Sequence, residues 1–521
     1  MIAEVLTLLI LVLAITYHVS KRKFDYWKKR KIPYLKPVPF LGNYGPYIIQ
    51  KKYIGQTAAE LCEKFPDTPY FGAFYGTEPT LIVKDPEMVK KVMTKDYYYF
   101  NSREISNYTH KEVITQNLFF TYGDRWKVLR QNLTPIFSSA KMKNMFYLID
   151  KSAHVFEGML DRELKMNDVQ AVRTLISRYT MDSIGSCVFG VDTETMTEDP
   201  SKNPFFQVGS LIFAESYLRS LMTVSRAIWP AVFYGLNMKS FPKEMNDFFD
   251  KLMKGVFEQR QYKPTNRNDF VDLILNWQKG HYITGDSMQN MKGNEKKVKL
   301  EVDDELLVGQ SILLFGAGYE TSATTLQYTL YELAKNQEAQ AKVHTEIDEY
   351  LLRHNNALVY ECVTELPYTE ACVDEALRMY PVLGVLTREV VEEYTLPCGA
   401  VIEKGVRVHV PVYYLHHNPD FFPEPEKFRP ERFYGEEKRN IVPYTYMPFG
   451  EGPRLCLGIR FAKMQIFPAI ITLLKKYRVE LTPDTPRKLE FTPTTIVTQP
   501  KELVKLKFVE RDGWQQRLYN K

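Results

Sequence analysis

One segment near the C-terminal end constrains this chain more than any other, because it surrounds a single cysteine with glycines and an arginine: Phe449-Gly450-Glu451-Gly452-Pro453-Arg454-Leu455-Cys456-Leu457-Gly458. The glycines permit positive φ and a close approach of the backbone to a flat molecule. Cys456 also precedes a helical stretch predicted for residues 459–477, and the positive end of a helix dipole favours a thiolate. The segment therefore predicts the proximal loop of a haem-thiolate centre, with Cys456 as the iron ligand and Arg454 suited to a haem propionate.

The alternative for Cys456 is a buried structural cysteine in a glycine-rich turn, since free cysteine is among the most buried residue types. The haem interpretation is favoured because the phenylalanine, two glycines, arginine, cysteine and final glycine occur together at fixed offsets. This order resembles the ligand signature of the cytochrome P-450 monooxygenases. The resemblance implies that Phe449 and Gly450 also contact the haem.

Length and composition are consistent with one large catalytic domain. The chain has 521 residues, of which 45% are hydrophobic and 13% aromatic, enough for a sizeable core. Its formal net charge of +5 is too small to indicate nucleic acid as a partner. Six scattered cysteines without a C-x-x-C pair argue against a zinc site or a disulfide framework. His416 and His417 lie in a loop-like run and are interpreted as surface or packing residues.

The N-terminal residues predict where the protein resides. Residues 1–17 are almost wholly apolar, with Glu4 as their charged residue, and a helix of this length covers about 25 Å, enough for a thin bilayer. Basic residues follow from Lys21 onwards, which predicts a single membrane anchor at residues 1–20 and a catalytic domain on the cytosolic side of the endoplasmic reticulum. A cleaved secretory signal is the alternative, but no small-residue cleavage site is evident. Residues 21–52 are predicted to be a basic, proline-rich and stiff linker.

The remainder is predicted to form a single large domain, mainly α with small β-sheets, over residues 53–513. Residues 514–521 are predicted to be a C-terminal tail. Strand signals occur at residues 80–83 and 406–410. The polar, lysine-rich tract at residues 286–299 is predicted to be an exposed loop.

The longest helical pattern covers residues 302–336 and contains Phe315-Gly316-Ala317-Gly318-Tyr319-Glu320-Thr321. Two glycines and a threonine in an apolar helix favour a local groove, because glycine weakens the hydrogen-bond ladder and threonine can bond back to a carbonyl. Taken alone, Gly-x-Gly in a helix would indicate close packing. The stretch resembles the oxygen-activating helix of the family, which implies that Ala317 and Gly318 face the haem. Thr321 is then expected to hydrogen-bond dioxygen, and Glu320 to relay protons from solvent.

Two further motifs predict a buried ion network. Glu375 and Arg378 lie three residues apart on one face of a helix that is expected to end before Pro381. Alone they would be a surface pair worth about 0.3–0.5 kcal/mol. Arg432 in the sequence Pro430-Glu431-Arg432-Phe433 could complete a Glu-Arg-Arg network, and both motifs match the family's E-x-x-R and P-E-R-F pair. The resemblance implies that this network ties the haem loop to the core.

Further cofactor and substrate residues are implied by position in the family. Trp126 and Arg130 are four residues apart on one helix face, and such a pair reaches the haem propionates in the family, as Arg388 and Arg103 are expected to do. Each would be an ordinary surface or packing residue if found alone. The implied substrate pocket is apolar, which fits lipophilic compounds. Its members are Phe119, Phe120, the segment 211–221, Phe315, Ala317, Val385, Leu386, Ile496 and Val497.

The resemblance covers almost the whole chain and is strongest to the microsomal branch that metabolises foreign compounds, above all the insect detoxification group. It implies a haem b-dependent monooxygenase that inserts one oxygen atom of O2 into lipophilic xenobiotics, such as plant toxins or insecticides, or into endogenous lipids or hormones. Electrons are expected from NADPH through a membrane-bound cytochrome P-450 reductase, because the chain has no strand-placed Gly-x-Gly-x-x-Gly. Cytochrome b5 is a second candidate partner. A basic face near Lys127 and Arg454 would dock the reductase.

Two alternatives from other classes stay open. A haem-thiolate isomerase or dehydratase would use Cys456 to rearrange peroxides without a reductase, but such members of the family tend to lose the threonine that is present here as Thr321. A non-catalytic haem sensor or ligand carrier would need no electron donor. NADPH consumption with a reconstituted reductase distinguishes the carrier from the enzyme.

Overall fold

Helices dominate the secondary structure of the part of the chain that the computed structural model describes, residues 7, 17–18, 20–103, 106–213, 216–267 and 269–516. In this part the α-helices α1 to α17 are, in chain order, Tyr26–Lys29, Gly45–Ile48, Ile54–Glu63, Pro86–Lys90, Gly123–Leu133, Ser139–Met166, Val172–Ile184, Pro204–Ile212, Tyr217–Ile228, Pro230–Gly235, Lys243–Gln259, Phe270–Gly280, Asp304–Lys335, Gln337–Arg353, Pro367–Met379, Val412–His417 and Ile459–Leu474. The strands β1 to β11 are Tyr70–Tyr75, Glu78–Val83, Val169–Ala171, Tyr282–Asp286, Lys297–Glu301, Leu386–Glu389, Tyr394–Thr395, Val401–Ile402, Arg407–Val410, Tyr477–Leu481 and Lys505–Glu510. The prediction of a mainly α fold with small β-sheets is confirmed.

The long helix α13 runs through the helical core. It spans Asp304–Lys335, close to the predicted residues 302–336. Asp303 caps its N-terminus, since the Asp303 carboxylate accepts a hydrogen bond from the backbone N–H of Leu306 (2.7 Å). The helix packs against α7, α15 and α17. These contacts bury most of the surface of α13. An exposed face along this helix therefore needs a local explanation.

The largest sheet joins strands that lie far apart in the sequence. It has four strands in the order β1-β2-β9-β6. Strands β2 and β9 pair in parallel with Thr80 opposite Arg407, and they cover the two segments predicted as strands. The other pairs in this sheet are antiparallel. A three-stranded sheet, β10-β11-β3, and two hairpins, β4-β5 and β7-β8, complete the β structure of the described residues.

The lysine-rich tract at residues 286–299 was expected to be a loop, but it belongs largely to a β-hairpin. Strands β4 and β5 pair antiparallel, with Asp286 opposite Lys297. The loop prediction was wrong because it relied on the polar composition of the tract and not on the alternation of its side chains. Exposed Lys297 and Lys299 alternate with the half-buried Val298 and Leu300, which is the period of a strand with one face on the protein.

The predicted linker at residues 21–52 packs against the domain. Trp27 is fully buried, and its indole N–H donates a hydrogen bond to the carbonyl of Ala73 in β1 (2.8 Å). A Cβ atom at Gly72 would lie 2.3 Å from the Trp27 ring, so the strand requires glycine at this position. The segment is therefore part of the folded domain, and its position is fixed by an aromatic anchor.

The two chain ends lie mostly outside the described residues. This applies to the predicted anchor at residues 1–20, of which residues 7, 17, 18 and 20 are described, and to the predicted tail after residue 516. Among the described residues, no helix combines the length and the apolar character that crossing a membrane requires. Trp514–Gln516 forms a final 3-10 turn, and the Trp514 ring lies 4.2 Å from Lys476 Nζ.

A buried ion network fixes the C-terminal end of α15. Glu375 accepts two hydrogen bonds from Arg378, from Nε (2.8 Å) and Nη2 (2.9 Å), and a third from Arg432 Nε (3.3 Å). Arg378 also donates to the carbonyls of His416 (2.8 Å) and Pro425 (2.7 Å). Glu375 and Arg378 are completely buried and Arg432 is 5% exposed. The structure thus brings together the three residues that the two motifs indicated, and nearly every polar atom of the pair has a partner.

Replacing Arg378 with leucine is expected to lower the free energy of unfolding by about 3–5 kcal/mol, because the Glu375 carboxylate would remain buried without its partner. Arg439→Leu is the matched control, since Arg439 forms an exposed i,i+3 pair with Glu436 and should cost less than about 1 kcal/mol. Denaturant unfolding followed by tryptophan fluorescence measures both. Equal losses for the two variants would contradict the structural role of the network.

Candidate functional site

The Cys456 loop is closed by backbone hydrogen bonds at positions where the chain needs glycine. The Cys456 N–H donates to the carbonyl of Phe449 (2.9 Å), and the Gly450 N–H donates to the carbonyl of Met447 (3.0 Å). Gly450 has φ +75° and Gly452 has φ +71°, and a Cβ at Gly452 would lie 2.0 Å from the carbonyl oxygen of Met93. The loop therefore has one conformation, which holds Cys456 immediately before α17.

His416 connects this loop to the buried ion network. Its Nε2 accepts a hydrogen bond from the Met447 N–H (3.0 Å), and its carbonyl accepts one from Arg378. Burial lowers the pKa of His416 to about 3, so the ring is neutral and Nε2 can act as an acceptor. His416 lies at the end of α16 and not in the loop-like run that was expected. Its role could not be predicted from the sequence, because it contacts the Cys456 loop only through the tertiary fold.

The Cys456 side chain is accessible to solvent, yet the surrounding protein is close enough to shift the pKa of its thiol. Burial raises the pKa of the Cys456 thiol above its ordinary value, while the Gly458 backbone N–H and the guanidinium groups of Arg130 and Arg103 oppose this shift. A bound metal cation would reverse the balance, because a coordinating thiol loses its proton. The neighbouring cations and the Gly458 N–H thus offset part of the cost of burying a thiolate here, and the thiol remains protonated until a cation binds.

A cluster of arginines lies next to the loop. Arg454 donates to the carbonyls of Asn101 (2.9 Å), Phe119 (3.2 Å) and Thr121, and its guanidinium lies 4.8 Å from the centre of the Trp126 ring. Arg103 donates to the same Phe119 carbonyl (2.9 Å). The structure therefore brings Arg103, Arg454 and Trp126 together beside the Cys456 loop, and their contact with haem propionates stays a prediction. Arg130 lies near Cys456 and contributes to its electrostatic environment.

Arg388 is the member of this cluster with the least protein bonding. It is 2% exposed, it donates to the carbonyl of Thr387 (2.8 Å), and its buried Nε has no hydrogen-bond partner in the described part of the chain. Burial and the neighbouring Arg454 lower the pKa of Arg388 to about 10. Among the described residues, no carboxylate is paired with Arg103, Arg388 or Arg454. Buried cations of this kind need an anion, and the two propionates of haem b fit that need.

One face of α13 is open in an otherwise buried stretch. Between residues 306 and 334 the residues that are not buried are Leu313, Ala317, Gly318 and Thr321, which recur at helical spacing and form one stripe. The Thr321 hydroxyl donates to the carbonyl of Ala317 (2.8 Å), the back-bond that the sequence suggested. Gly318 also serves close packing, since a Cβ there would lie 2.4 Å from Ile184. The stripe offers an apolar surface with one hydroxyl.

The Glu320 side chain points away from this stripe and forms polar contacts. It is 1% exposed, and its Oε1 accepts hydrogen bonds from Arg173 Nη2 (2.5 Å) and Gln499 Nε2 (2.9 Å). Gln499 also donates to the hydroxyl of Thr324 (2.8 Å). The Arg173 side chain is 31% exposed, so it links the buried carboxylate to solvent. Arg173 and Gln499 were not predicted as partners of Glu320, because both lie far from it along the chain.

The predicted pocket residues do not all lie together. Phe119 and Phe120 form an edge-to-face pair, with ring centroids 5.0 Å apart, beside Arg103. Phe315 is fully buried in an aromatic cluster with Phe189, Phe205, Phe249 and Tyr319, on the side of α13 away from Ala317 and Thr321. The remaining positions differ in burial. Val385 and Val497 are buried in separate hydrophobic clusters, Leu386 is half-buried in β6, Ile496 is exposed, and the segment 211–221 includes residues 214–215 outside the described residues.

Comparison with known proteins gives one consistent result. A sequence model of the family described as Cytochrome P450 matches residues 32–508. Cytochrome P450 6B2 of Helicoverpa armigera is 36% identical over 496 residues, which cover 95% of this chain and 96% of that protein. Cytochrome P450 6B5 of Papilio glaucus is 37% identical over 480 residues, covering 92% and 98%. Cytochrome P450 6j1 of Blattella germanica is 34% identical over 479 residues, covering 92% of each chain.

Arg388→Met is expected to speed the loss of haem about tenfold, because it removes a buried cation that would pair with a propionate. The unfolding free energy of the haem-free protein should not fall, since Arg388 has no carboxylate partner to leave behind. Haem transfer to excess apomyoglobin measures the first quantity and denaturant unfolding the second. An unchanged transfer rate, or a destabilised haem-free protein, would assign Arg388 to the core instead.

Proposed function

The chain belongs to the cytochrome P450 family and is therefore a haem-dependent monooxygenase, and on that premise we propose that its substrates are lipophilic foreign compounds such as plant toxins or insecticides. The similarity to insect cytochromes P450 and the apolar open stripe of α13 support this substrate class. The observation that carries the haem-thiolate assignment is the accessible Cys456 thiol next to the buried Arg388, which has no carboxylate partner among the described residues. The family uses haem b, with electrons from NADPH through a reductase. A flavoprotein reductase of this type is the proposed donor, with cytochrome b5 as a second partner.

Different residues of the site would bind different parts of the cofactor. Cys456 would supply the thiolate ligand of the haem iron, and Arg103, Arg388 and Arg454 would bind the propionates. Haem b, when bound, supplies the activation of dioxygen and the transfer of one oxygen atom, which a thiolate ligand promotes by donating electron density. Trp126 packs against Arg454 and keeps that guanidinium in place. The rigid glycine turns keep the Cys456 sulfur at a fixed position relative to the cluster.

Proton supply would come through α13. Arg173 reaches solvent and holds the Glu320 carboxylate, and Gln499 joins Glu320 to the Thr324 hydroxyl. Thr321 carries a hydroxyl proton at the open stripe, where Oγ1 is bonded to the Ala317 carbonyl. Breaking that back-bond by rotation about χ1 would present the proton to the open side. We infer that Glu320 and Thr321 deliver protons from two different faces of the same helix, about 100° apart.

The apolar side of the site supports lipophilic substrates. Phe119 and Phe120 lie beside the arginine cluster, and Leu313 and Ala317 face the open space along α13. Such surfaces favour binding by removal of apolar area from water rather than by specific polar contacts. Endogenous lipids or hormones share this chemistry and are the alternative substrates. The proposed location is the cytosolic face of the endoplasmic reticulum, through an anchor at residues 1–20.

The absorption spectrum of the dithionite-reduced, carbon monoxide-bound protein in membranes tests the proposal. A strongly red-shifted Soret band is expected, because thiolate ligation by Cys456 shifts the band far more than a neutral nitrogen ligand does. Cys456→His should keep bound haem, lose the red shift and lose NADPH-supported oxidation. A red-shifted band that persists in Cys456→His would refute the ligand assignment, and the monooxygenase proposal would fall with it.

Thr321→Ala is expected to retain haem but to divert reducing equivalents to hydrogen peroxide, with at least a fivefold rise in peroxide per NADPH consumed, since proton delivery at the stripe is impaired. Thr329→Ala is the matched control, because Thr329 makes the same back-bond to the carbonyl of Thr325 (2.9 Å) but is fully buried away from the stripe. Product, peroxide and NADPH are measured together. Unchanged coupling in Thr321→Ala would exclude the proton role of Thr321.

A further inference from the structure

Two arginines of α9 lie on one face of that helix and contact the same aromatic ring. Arg219 and Arg226 are about two helical turns apart, so their side chains leave α9 in the same direction. Their guanidinium groups lie 5.3 Å and 6.0 Å from the centre of the Phe241 ring. Arg226 is 3% exposed and Arg219 is half-buried. Arg219 also belongs to the segment 211–221 that was predicted to line the substrate pocket.

These two arginines have more N–H donors than the surrounding protein accepts. Nε and Nη1 of Arg226 and Nη2 of Arg219 are buried without a hydrogen-bond partner in the part of the chain that the structure describes. Arg219 Nη1 donates to the carbonyl of Leu211. A buried donor without a partner carries a desolvation cost, which a bound acceptor removes. The arginines of α9 therefore have room in their bonding for an acceptor that the protein does not supply.

Glu112 compensates only part of the positive charge. Its Oε1 lies 3.7 Å from Arg226 Nη1, which is an ion pair but too long for a hydrogen bond. The Glu112 carboxylate instead accepts hydrogen bonds from the Tyr234 hydroxyl (2.9 Å) and the Ser240 N–H (3.0 Å). Burial alone lowers the pKa of Arg219, and no described carboxylate is paired with it. Two cations thus share one anion, and the positive charge that remains suits an anionic acceptor.

Phe119 and Phe120 connect these arginines to the candidate site. The Arg226 guanidinium lies 5.6 Å from the centre of the half-buried Phe120 ring. The carbonyl of the preceding residue, Phe119, accepts hydrogen bonds from Arg103 (2.9 Å) and Arg454 (3.2 Å) beside the Cys456 loop. One aromatic residue therefore separates the arginines of α9 from the cofactor-binding residues.

The chain enters α9 from a point beside the open stripe of α13. A Cβ atom at Gly316 would lie 3.5 Å from the side chain of Ile212 and 3.6 Å from the ring of Phe213. Gly316 immediately precedes Ala317 of the stripe, and both Ile212 and Phe213 are half-buried. Apolar surface thus extends from the start of α9 to the stripe that carries Thr321.

We propose that Arg226 and Arg219 bind the carboxylate of an acidic lipophilic substrate, whose apolar part lies along the stripe of α13. The proposal rests on the proposed function, because it names the substrate class of that same site. Since Arg226 is enclosed, the carboxylate reaches it when the Phe120 ring turns aside. Glu112 limits the positive charge, so that one carboxylate neutralises the group. Oxidation would then occur at carbon atoms remote from the carboxylate, because that end is held at α9.

The experiment measures the Kd values of dodecanoate and dodecanamide by equilibrium dialysis with the purified full-length protein at neutral pH. The two ligands have the same chain length and nearly the same shape, and they differ in charge. The unchanged protein should bind dodecanoate more tightly than dodecanamide. Dialysis requires neither a reductase nor oxidation, so the measurement reports binding alone.

Arg226→Met should weaken the binding of dodecanoate about tenfold or more, because it removes charge-assisted hydrogen bonds, and should change the Kd of dodecanamide by less than about twofold. Glu112→Gln should have the opposite sign. It removes a negative charge but keeps an acceptor oxygen for Tyr234 and Ser240, so dodecanoate should bind about threefold more tightly. Opposite effects of the two variants would distinguish carboxylate recognition from general damage to the fold.

Arg407→Met is the matched control. Arg407 is 6% exposed, donates to the carbonyl of Ala227 in α9, and has a buried Nη1 without a described hydrogen-bond partner. Its guanidinium lies over the Tyr75 ring (5.2 Å to the centre), on the side of the four-stranded sheet and not beside Phe120. The control therefore matches Arg226 in burial, charge and contact with α9, and should change the Kd of dodecanoate by less than about twofold.

Equal affinity of the unchanged protein for the acid and the amide would overturn the proposal. Equal weakening of both ligands in Arg226→Met, or of dodecanoate in Arg226→Met and Arg407→Met, would also overturn it. If Arg226→Met does not fold, the half-buried Arg219→Met decides, since it leaves no carboxylate unpaired. Its Kd for dodecanoate should rise about fivefold, and an unchanged value would contradict the proposal.

The carbon monoxide spectrum separates this failure from that of the proposed function. A red-shifted band together with equal binding of the acid and the amide would contradict the carboxylate site alone. Selective binding of dodecanoate without the red-shifted band would contradict the haem-thiolate assignment and leave the carboxylate site in place.

Discussion

The structure depends on the burial of one ion pair, Glu375 with Arg378, that has no contact with solvent. Two buried charges are tolerated only when their hydrogen bonds are nearly complete, so the pair dictates where the surrounding backbone must lie. Its influence reaches the cysteine loop through His416, which accepts a hydrogen bond from Met447 on one side and from Arg378 on the other. The ion pair is therefore linked by a continuous chain of hydrogen bonds to the loop that carries Cys456.

Two faces of α13 border chemically different environments, one apolar and one polar. On one face Ala317 and Thr321 border an apolar open space, and on another Glu320 is buried with Arg173 and Gln499. Because successive residues of a helix are about 100° apart, adjacent positions 320 and 321 can serve different compartments without any change in the backbone. The charged groups thus lie on the Glu320 side, and the Thr321 hydroxyl is the polar side-chain group on the apolar side of the described helix.

Features that depend on neighbouring residues could be predicted from the sequence, and features that depend on distant contacts could not. The glycine turns around Cys456 and the length of α13 are local, and both agree with expectation. Which face of α13 is open is a tertiary property, so Phe315 was assigned to the pocket although it lies in the core. Arg173 is 147 positions from Glu320, and no spacing rule connects them. The β4-β5 hairpin is a different kind of error. The alternation typical of a strand is visible in its sequence, but the prediction of a loop relied on its lysine content.

The cations around Cys456 differ in their degree of burial, and this difference suits them to different roles. Arg388 is 2% exposed and lacks a carboxylate partner, and a guanidinium in that state is costly until an anion joins it permanently. Such a site suits a cofactor that stays bound through every turnover. Lys297 and Arg460, by contrast, are exposed, so their charges stay hydrated and are screened by salt without any bound anion.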